Sequence, residues 1–389
     1  MRIYLDHNAG SPLRREARDA IERFLGDDVA NPSSVHRSGQ RARRALEIAR
    51  EQVAAAIGAK PRQIIFTSGG TESNNAAISG AVNALPARRR IVTTAIEHSS
   101  ILAPLAELES KGRDVVRIAP DSEGTVAAAD VLSALDRNTA LVTVGLVNGE
   151  VGAIQDVASL AREALAVGAL FHVDAAQALG RISIDVNTIG CDLMTLSGHK
   201  VGAPAGIGAI YVRDPARVTP MILGGPQESA MRAGTQNLLG AVAFGAAVEG
   251  ATRDIGAEAA RLYALTEQLL AALTAQIAGL SVNGPRDRRV ANTLNLTFPG
   301  VLGETMLIAL DLESVELSMG SACAAGSVEP SHVLLAMGRS AADALSSLRL
   351  SLGWNTTAND LSAAATTIVR VWARVSSAEP RPLAAESLT

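Results

Sequence analysis

Residues 169–212 read ALFHVDAAQALGRISIDVNTIGCDLMTLSGHKVGAPAGIGAIYV. Three runs inside this stretch, ALFHVD, DLMTLS and GAIYV, are short, apolar and bounded by turn residues, the pattern of buried strands. Toward the amino terminus the same kind of run recurs as IIFT, RIVTTA and TALVTVGLV. Helix-length amphipathic segments separate the runs, starting near Thr71, after Glu97 and near Asp156. Repeated βα alternation over residues 63–212 predicts an α/β fold with a mostly parallel sheet and helices on both faces. In such sheets ligands collect at the carboxyl ends of the strands.

Beyond the Gly224, Gly225, Pro226 punctuation the pattern changes. An Ala/Leu-rich helical stretch runs through Gln276, followed by short strands at about 280–282 and 293–297, a helix near 304–310 and a terminal helix from about Ala358. This predicts a smaller α+β domain. We place the large domain at 13–250 and the small one at 1–12 together with 251–389.

The 389 residues are 48% hydrophobic and 19% charged with a net charge of -4, a globular balance rather than a disordered one. There is no basic stripe for nucleic acid; Arg41, Arg43 and Arg44 fit a solvated helix face. The opening MRIYLDHNAGSP has no apolar h-region, and no run is long enough to span a bilayer, so a cytoplasmic chain is expected. Cys191 and Cys323 are too few for a disulfide framework or a four-thiolate metal site, and no metal is expected.

Only three of the 35 basic residues are lysine: Lys60, Lys111 and Lys200. The first two lie at helix-to-strand connections, where a lysine complements a helix carboxyl end in solvent. Lys200 instead follows the strand DLMTL, where a functional site is expected, and a buried lysine is costly unless its pKa falls or it forms an imine. Asp174 ends the strand ALFHVD and can pair with a protonated ring nitrogen. The turn in IIFTSGGTESNN, with Gly70 and Thr71, offers backbone N–H groups, a helix dipole and a hydroxyl to a phosphate. Schiff-base lysine, acid and anion site in one sheet describe a pyridoxal 5'-phosphate site.

With these residues in hand the chain resembles the cysteine desulfurases of the NifS/IscS type, within the class V aminotransferase-like, fold-type I pyridoxal-phosphate enzymes. The resemblance runs from YLDHNAGSP at Tyr4 to RLSLG at Arg349, through NPSSVHRSG, FTSGGTESNN, EHSS, VNGEVG, HVDAAQ, SGHK, MRAGTQN and GSACAAGSVEPSHVL in family order. It implies a seven-stranded-type sheet and a homodimer. Lys200 would bind the cofactor covalently, His98 would stack on its ring and assist acid/base steps, Asp174 would hold the ring nitrogen and Gln177 the phenolic oxygen. Thr71, Ser197 and His199 would hold the phosphate, with Thr235 contributed by the neighbouring subunit, and Asn148 and Arg349 would hold the carboxylate of L-cysteine. Cys323 would take the sulfur as a persulfide, releasing alanine and passing sulfur to a protein acceptor such as an iron–sulfur scaffold. Four positions depart from the family's pattern, Gly10 and Ser11 for paired threonines, Gly149 for a second asparagine and Ala205 for a lysine, and none of them is an assigned residue.

The two thiols differ in setting. Cys191 enters an apolar strand, where a thiol is an inert small hydrophobe. Cys323 lies in SMGSACAAGSVEPS, whose small side chains suit a nucleophile that reaches in and then swings out to an acceptor. Alternative readings are a selenocysteine lyase or another class V reaction, and a non-catalytic scaffold; the Lys200, His98 and Cys323 set argues against the scaffold.

Overall fold

The computed structural model describes residues 2–25, 30–320 and 329–378. The chain opens with β1 (Ile3–Tyr4), α1 (Arg15–Leu25) and α2 (Arg37–Ala56), whose buried Ala42, Leu46, Ala49 and Val53 recur at helical spacing. Arg41, Arg43 and Arg44 are on its exposed side. The alternating region follows as β2 (Ile64–Thr67), α3 (Gly70–Ala84), β3 (Arg90–Thr94), α4 (Ser99–Ser110), β4 (Asp114–Ile118), α5 (Ala128–Ala134), β5 (Thr139–Gly145), α6 (Val157–Ala166), β6 (Leu170–Asp174), α7 (Val186–Ile189), β7 (Leu193–Ser197) and β8 (Gly208–Val212).

These strands form one seven-stranded sheet in the order β2-β8-β7-β6-β5-β3-β4. All neighbouring pairs are parallel except those of β8, which runs antiparallel to β2 and β7. β5, β6 and β7 are buried on both faces, with Val142, Phe171 and Met194 in one apolar cluster and Leu141, Leu170 and Leu193 in the cluster on the opposite face.

α8 (Leu238–Thr252) buries Ala241, Phe244 and Val248 in the same core as Ala42, Leu46 and Val53 of α2 and so belongs with the large sheet. The second part contains α9 (Ile255–Thr274), β9 (Ser281–Asn283), β10 (Thr293–Thr297), α10 (Gly303–Asp311), β11 (Val315–Glu316), α11 (His332–Ala336), α12 (Ala341–Leu345), β12 (Ser347–Ser351) and α13 (Ala358–Ala378). The starts of α8, α9 and α11 are capped by side chains: Asn237, Asp254 and Ser331 accept from Gly240, Ala257 and Leu334 backbone N–H groups at 3.0, 3.0 and 3.2 Å. β12, β10 and β9 make a small antiparallel sheet over its own core of Leu294, Leu296, Phe298, Leu348 and Leu350. The amino terminus joins this second part, because β1 pairs in parallel with β11 and the His7 N–H donates to the Ser351 carbonyl at 3.1 Å. Among the described residues no helix is long and apolar enough to cross a bilayer.

Candidate active site

Side chains alternate across a strand, and on one face of β5, β6 and β7 the residues change character toward the carboxyl ends. Leu141, Leu170 and Leu193 give way to Thr143, His172 and Thr195, and then to Gly145, Asp174 and Ser197. The middle tier satisfies itself: His172 lies 2.8 Å from Thr143 Oγ1 through Nδ1 and 3.0 Å from Thr195 Oγ1 through Nε2. Burial pushes the His172 imidazole down to about 4, so it is neutral at physiological pH. The last tier is the floor of the site.

Asp174 is fixed there by two donors, the Ala176 N–H at 2.9 Å and Asn74 Nδ2 at 2.8 Å. Asn74 comes from α3, whose start at Gly69 has no capping side chain, leaving first-turn N–H groups for an outside acceptor. Ser197 abuts this turn and lies 3.1 Å from His199 Nδ1. Thr71 is exposed beside it. Burial together with Lys200 and His98 pushes His199 down to about 4.

The turn depends on a glycine in β8. A Cβ on Gly208 would stand 2.7 Å from Gly69 Cα and 2.7 Å from the Leu196 carbonyl oxygen, both backbone atoms. Gly208→Ala is expected to displace the Gly69–Gly70 turn, lower stability by about 1–3 kcal/mol and weaken phosphate binding. Thermal unfolding and cofactor titration measure the two effects, and wild-type affinity in the variant would refute the dependence.

Lys200 follows β7 in a short turn, and its Nζ donates to the Asn8 and Ala9 carbonyls at 2.6 and 2.9 Å. Desolvation, with Arg181 and Arg349 nearby, pushes its pKa down to about 8. Gln177 Nε2 donates to the same Asn8 carbonyl at 2.9 Å, so one backbone oxygen brings Gln177 and Lys200 together. Gln177 also accepts from Arg181. The Gly149 departure fits this arrangement, since a Cβ there would meet Gln177 Nε2 at 3.2 Å.

Arg349 lies buried on β12, donating to Asp6 Oδ1 at 2.8 Å and to the Gly149 and Gly320 carbonyls at 3.1 and 3.3 Å, while its Nε has no partner among the described residues. Asn148 sits in the adjoining loop, but its side chain closes that loop. Nδ2 donates to the Ile96 carbonyl at 3.1 Å and Oδ1 accepts from the Glu150 and Val151 N–H groups at 2.9 and 3.0 Å. His98 caps α4, and the surrounding protein holds its imidazole below the usual histidine range. Thr235 is exposed and makes no hydrogen bond to the other site residues among those described; Arg232, three residues earlier, pairs with Glu72 of α3 at 2.9 Å. Cys323 lies outside the described residues. Cys191 is fully buried, which pushes its thiol up to about 12, and Lys60 and Lys111 are exposed, the latter paired with Glu107 at 2.8 Å.

Several residues here carried no assignment from sequence. Asn8 is a hub: its side chain donates to the Gly149 carbonyl and Thr293 Oγ1 at 3.0 and 2.9 Å and accepts from Asn292 at 3.1 Å. Asp6 balances Arg349. Glu97 is a buried acid pushed up to about 7 by desolvation, and Glu150 is likewise raised by burial while accepting from Ser331 Oγ at 2.5 Å. The available signal was the polar triplet Asp6-His7-Asn8 directly after an apolar strand.

A mostly parallel sheet with a lysine beyond β7, an acid ending β6 and an uncapped glycine turn before α3 defines a fold-type I α/β enzyme. The model of the aminotransferase class-V family matches residues 3–363, and the chain belongs to that family. Its relatives there include cysteine desulfurase IscS of Dictyoglomus turgidum, 42% identical over 360 residues, with 92% of this chain and 91% of the relative covered. Among solved structures, a NifS-like protein superposes with a TM-score of 0.90 at 31% identity, covering 96% of this chain and all of the other. SspA, solved in complex with cysteine, gives a TM-score of 0.80 at 35% identity, over 90% of this chain and 99% of its own. The family and its cysteine desulfurases depend on pyridoxal phosphate.

Proposed function

We propose that this chain is a pyridoxal-phosphate-dependent cysteine desulfurase that converts L-cysteine to L-alanine, holds the sulfur as a persulfide on Cys323 and passes it to a protein acceptor. The observation that carries the reading is Lys200, lowered to about 8 and placed among Asp174, Gln177 and the uncapped start of α3. These groups fit a phosphorylated aldehyde with a basic ring nitrogen. The uncapped turn with Thr71, Ser197 and His199 would take the phosphate, Asp174 the ring nitrogen and Gln177 the phenolic oxygen, and Thr235 of the neighbouring subunit would complete the phosphate site in a homodimer.

When bound, the cofactor supplies an electron sink for charge developing at the carbon beside the amino group. Lys200 is the base that removes and returns a proton at that carbon, and its lowered pKa suits the task near neutral pH. His98 would stack on the ring and serve as the second proton-handling group. The Cys323 thiolate attacks the substrate sulfur; a sulfur–sulfur bond forms, the carbon–sulfur bond breaks with its electron pair left on carbon, and protonation there gives alanine. Incubation with pyridoxal phosphate and L-cysteine should release alanine, with an enzyme-bound sulfur. Absence of alanine, or reaction with selenocysteine alone, would sink the reading.

Arg349, backed by Asp6 and with its Nε unpaired among the described residues, supports the carboxylate assignment, because a planar guanidinium binds a carboxylate through two parallel bonds and lysine cannot. Arg349→Lys is expected to keep the cofactor spectrum while the KM for cysteine rises by about ten- to a hundredfold, the loss of roughly 1.5–3 kcal/mol in one charge-assisted contact. An unchanged KM would move the carboxylate site elsewhere.

A further inference from the structure

The Ser100 backbone N–H, which can only donate, points at His98 Nδ1 at 3.1 Å, so Nδ1 is an acceptor. The Ser100 hydroxyl lies 2.8 Å from the same nitrogen. Asn74 Nδ2 has two hydrogens and two acceptors, Asp174 Oδ2 at 2.8 Å and Ser100 Oγ at 2.8 Å. Turning this amide over would set its oxygen against the Asp174 carboxylate, so its orientation is fixed. Because Ser100 Oγ accepts from Asn74, its own hydrogen is left for His98. Asn74 and Ser100 are both buried, and Asn74 Oδ1 has no partner among the described residues, so the two donations govern how the amide sits.

We propose that Asn74 and Ser100 are positioning residues that hold His98 as the neutral tautomer with its proton on Nε2, and that this arrangement is keyed to the carboxylate of Asp174. The inference rests on the reading of His98 as a proton-handling group and deepens it. An imidazolium would direct an Nδ1 hydrogen at two donors, and the Ser100 backbone cannot turn away. Among the described residues, the charged and titratable groups facing His98 are Asp174 at the end of β6, His199 and Lys200 after β7, and His332 at the start of α11. Asp174 favours protonation, whereas Lys200 and His332 oppose it. The neighbouring Glu97 carboxylate is turned to Thr94 and Gly145, from which it accepts at 2.7 and 2.9 Å. His98 then gives and takes its proton through Nε2 alone.

The test is ¹⁵N imidazole NMR on the full chain labelled at its six histidines, with and without pyridoxal phosphate, His98→Gln removing one signal set to assign it. His98 is expected to show a bare Nδ1 and a protonated Nε2 at neutral pH. In Ser100→Ala and Asn74→Ala its titration should move up by about one pH unit, a tenfold gain in proton affinity, while Ser100→Thr, which keeps the hydroxyl, should titrate as the parent does. A proton on Nδ1 in the parent, or an unmoved titration in Ser100→Ala, overturns the inference. If Asn74→Ala does not fold, Ser100→Ala alone decides. Alanine release is followed separately. Alanine formed normally with an unmoved Ser100→Ala titration overturns this inference alone, and the expected tautomer in a chain that makes no alanine supports it while overturning the functional reading.

Discussion

Lys200→Ala is expected to abolish covalent capture of pyridoxal phosphate and to reduce alanine release by more than the hundred- to ten-thousandfold, roughly, that loss of an acid/base group alone costs. Two roles fall on one amine, attachment and proton transfer, so neither can be restored by binding the cofactor more tightly. The Ala9 carbonyl would lose its Lys200 donor while that of Asn8 keeps Gln177 Nε2, and a costly desolvated cation would go as well, so the fold should survive. In the parent chain the pKa of about 8 means that most Lys200 is protonated at pH 7. The free amine is the species that attacks the aldehyde. Capture by cofactor-free protein should therefore accelerate as pH rises toward about 8 and level off above it. Borohydride reduction followed by peptide mapping should find the label on the peptide carrying Lys200, and a label on Lys60 or Lys111 would remove the basis of the assignment.

Cys323→Ser should leave the yellow cofactor and cysteine binding intact while removing the persulfide and nearly all alanine release. The contrast between the thiols sharpens the expectation. Cys191, fully buried and pushed up to about 12, has almost no thiolate at neutral pH and no route to an acceptor. Cys191→Ser is therefore expected to keep turnover. Alkylation after mixing with L-cysteine, followed by peptide mass measurement, locates the added sulfur. Alanine and sulfide made by Cys323→Ser at the parental rate would replace the nucleophile assignment with a direct-elimination lyase.

The central strands were legible because β5, β6 and β7 are buried on both faces and therefore read as apolar runs. β4 escaped because DVVRI lies at the sheet edge, half exposed, and alternates too weakly to stand out. The reversed direction of β8 was invisible for another reason: strand polarity is set by the length and path of a connection, not by the residues of the strand. At the site, Lys200 and Asp174 were readable because each ends an apolar run, a local signal. Asn8 and Asp6 act on residues some 340 positions away, and no local period encodes such a meeting. Asn148 shows the reverse case. A motif position marked it for substrate, while its amide is engaged in shaping its own loop. Glu97 and Glu150 look like surface acids in the sequence, and only packing reveals them as buried.

The union of β1 with β11, of Asp6 with Arg349 and of Lys200 with the Asn8 carbonyl has a consequence in time. Asn8 is made 343 residues before Ser351, to whose Oγ its N–H donates, an interval of roughly 20–70 s at about 5–20 residues per second. Once Val212 has been made the seven-stranded sheet can form from contiguous chain, yet the residues that meet the lysine still wait for a partner not yet synthesised. The catalytic cleft is thus among the last parts of the molecule to close, and a nascent chain stalled before β12 would carry the sheet without a finished site.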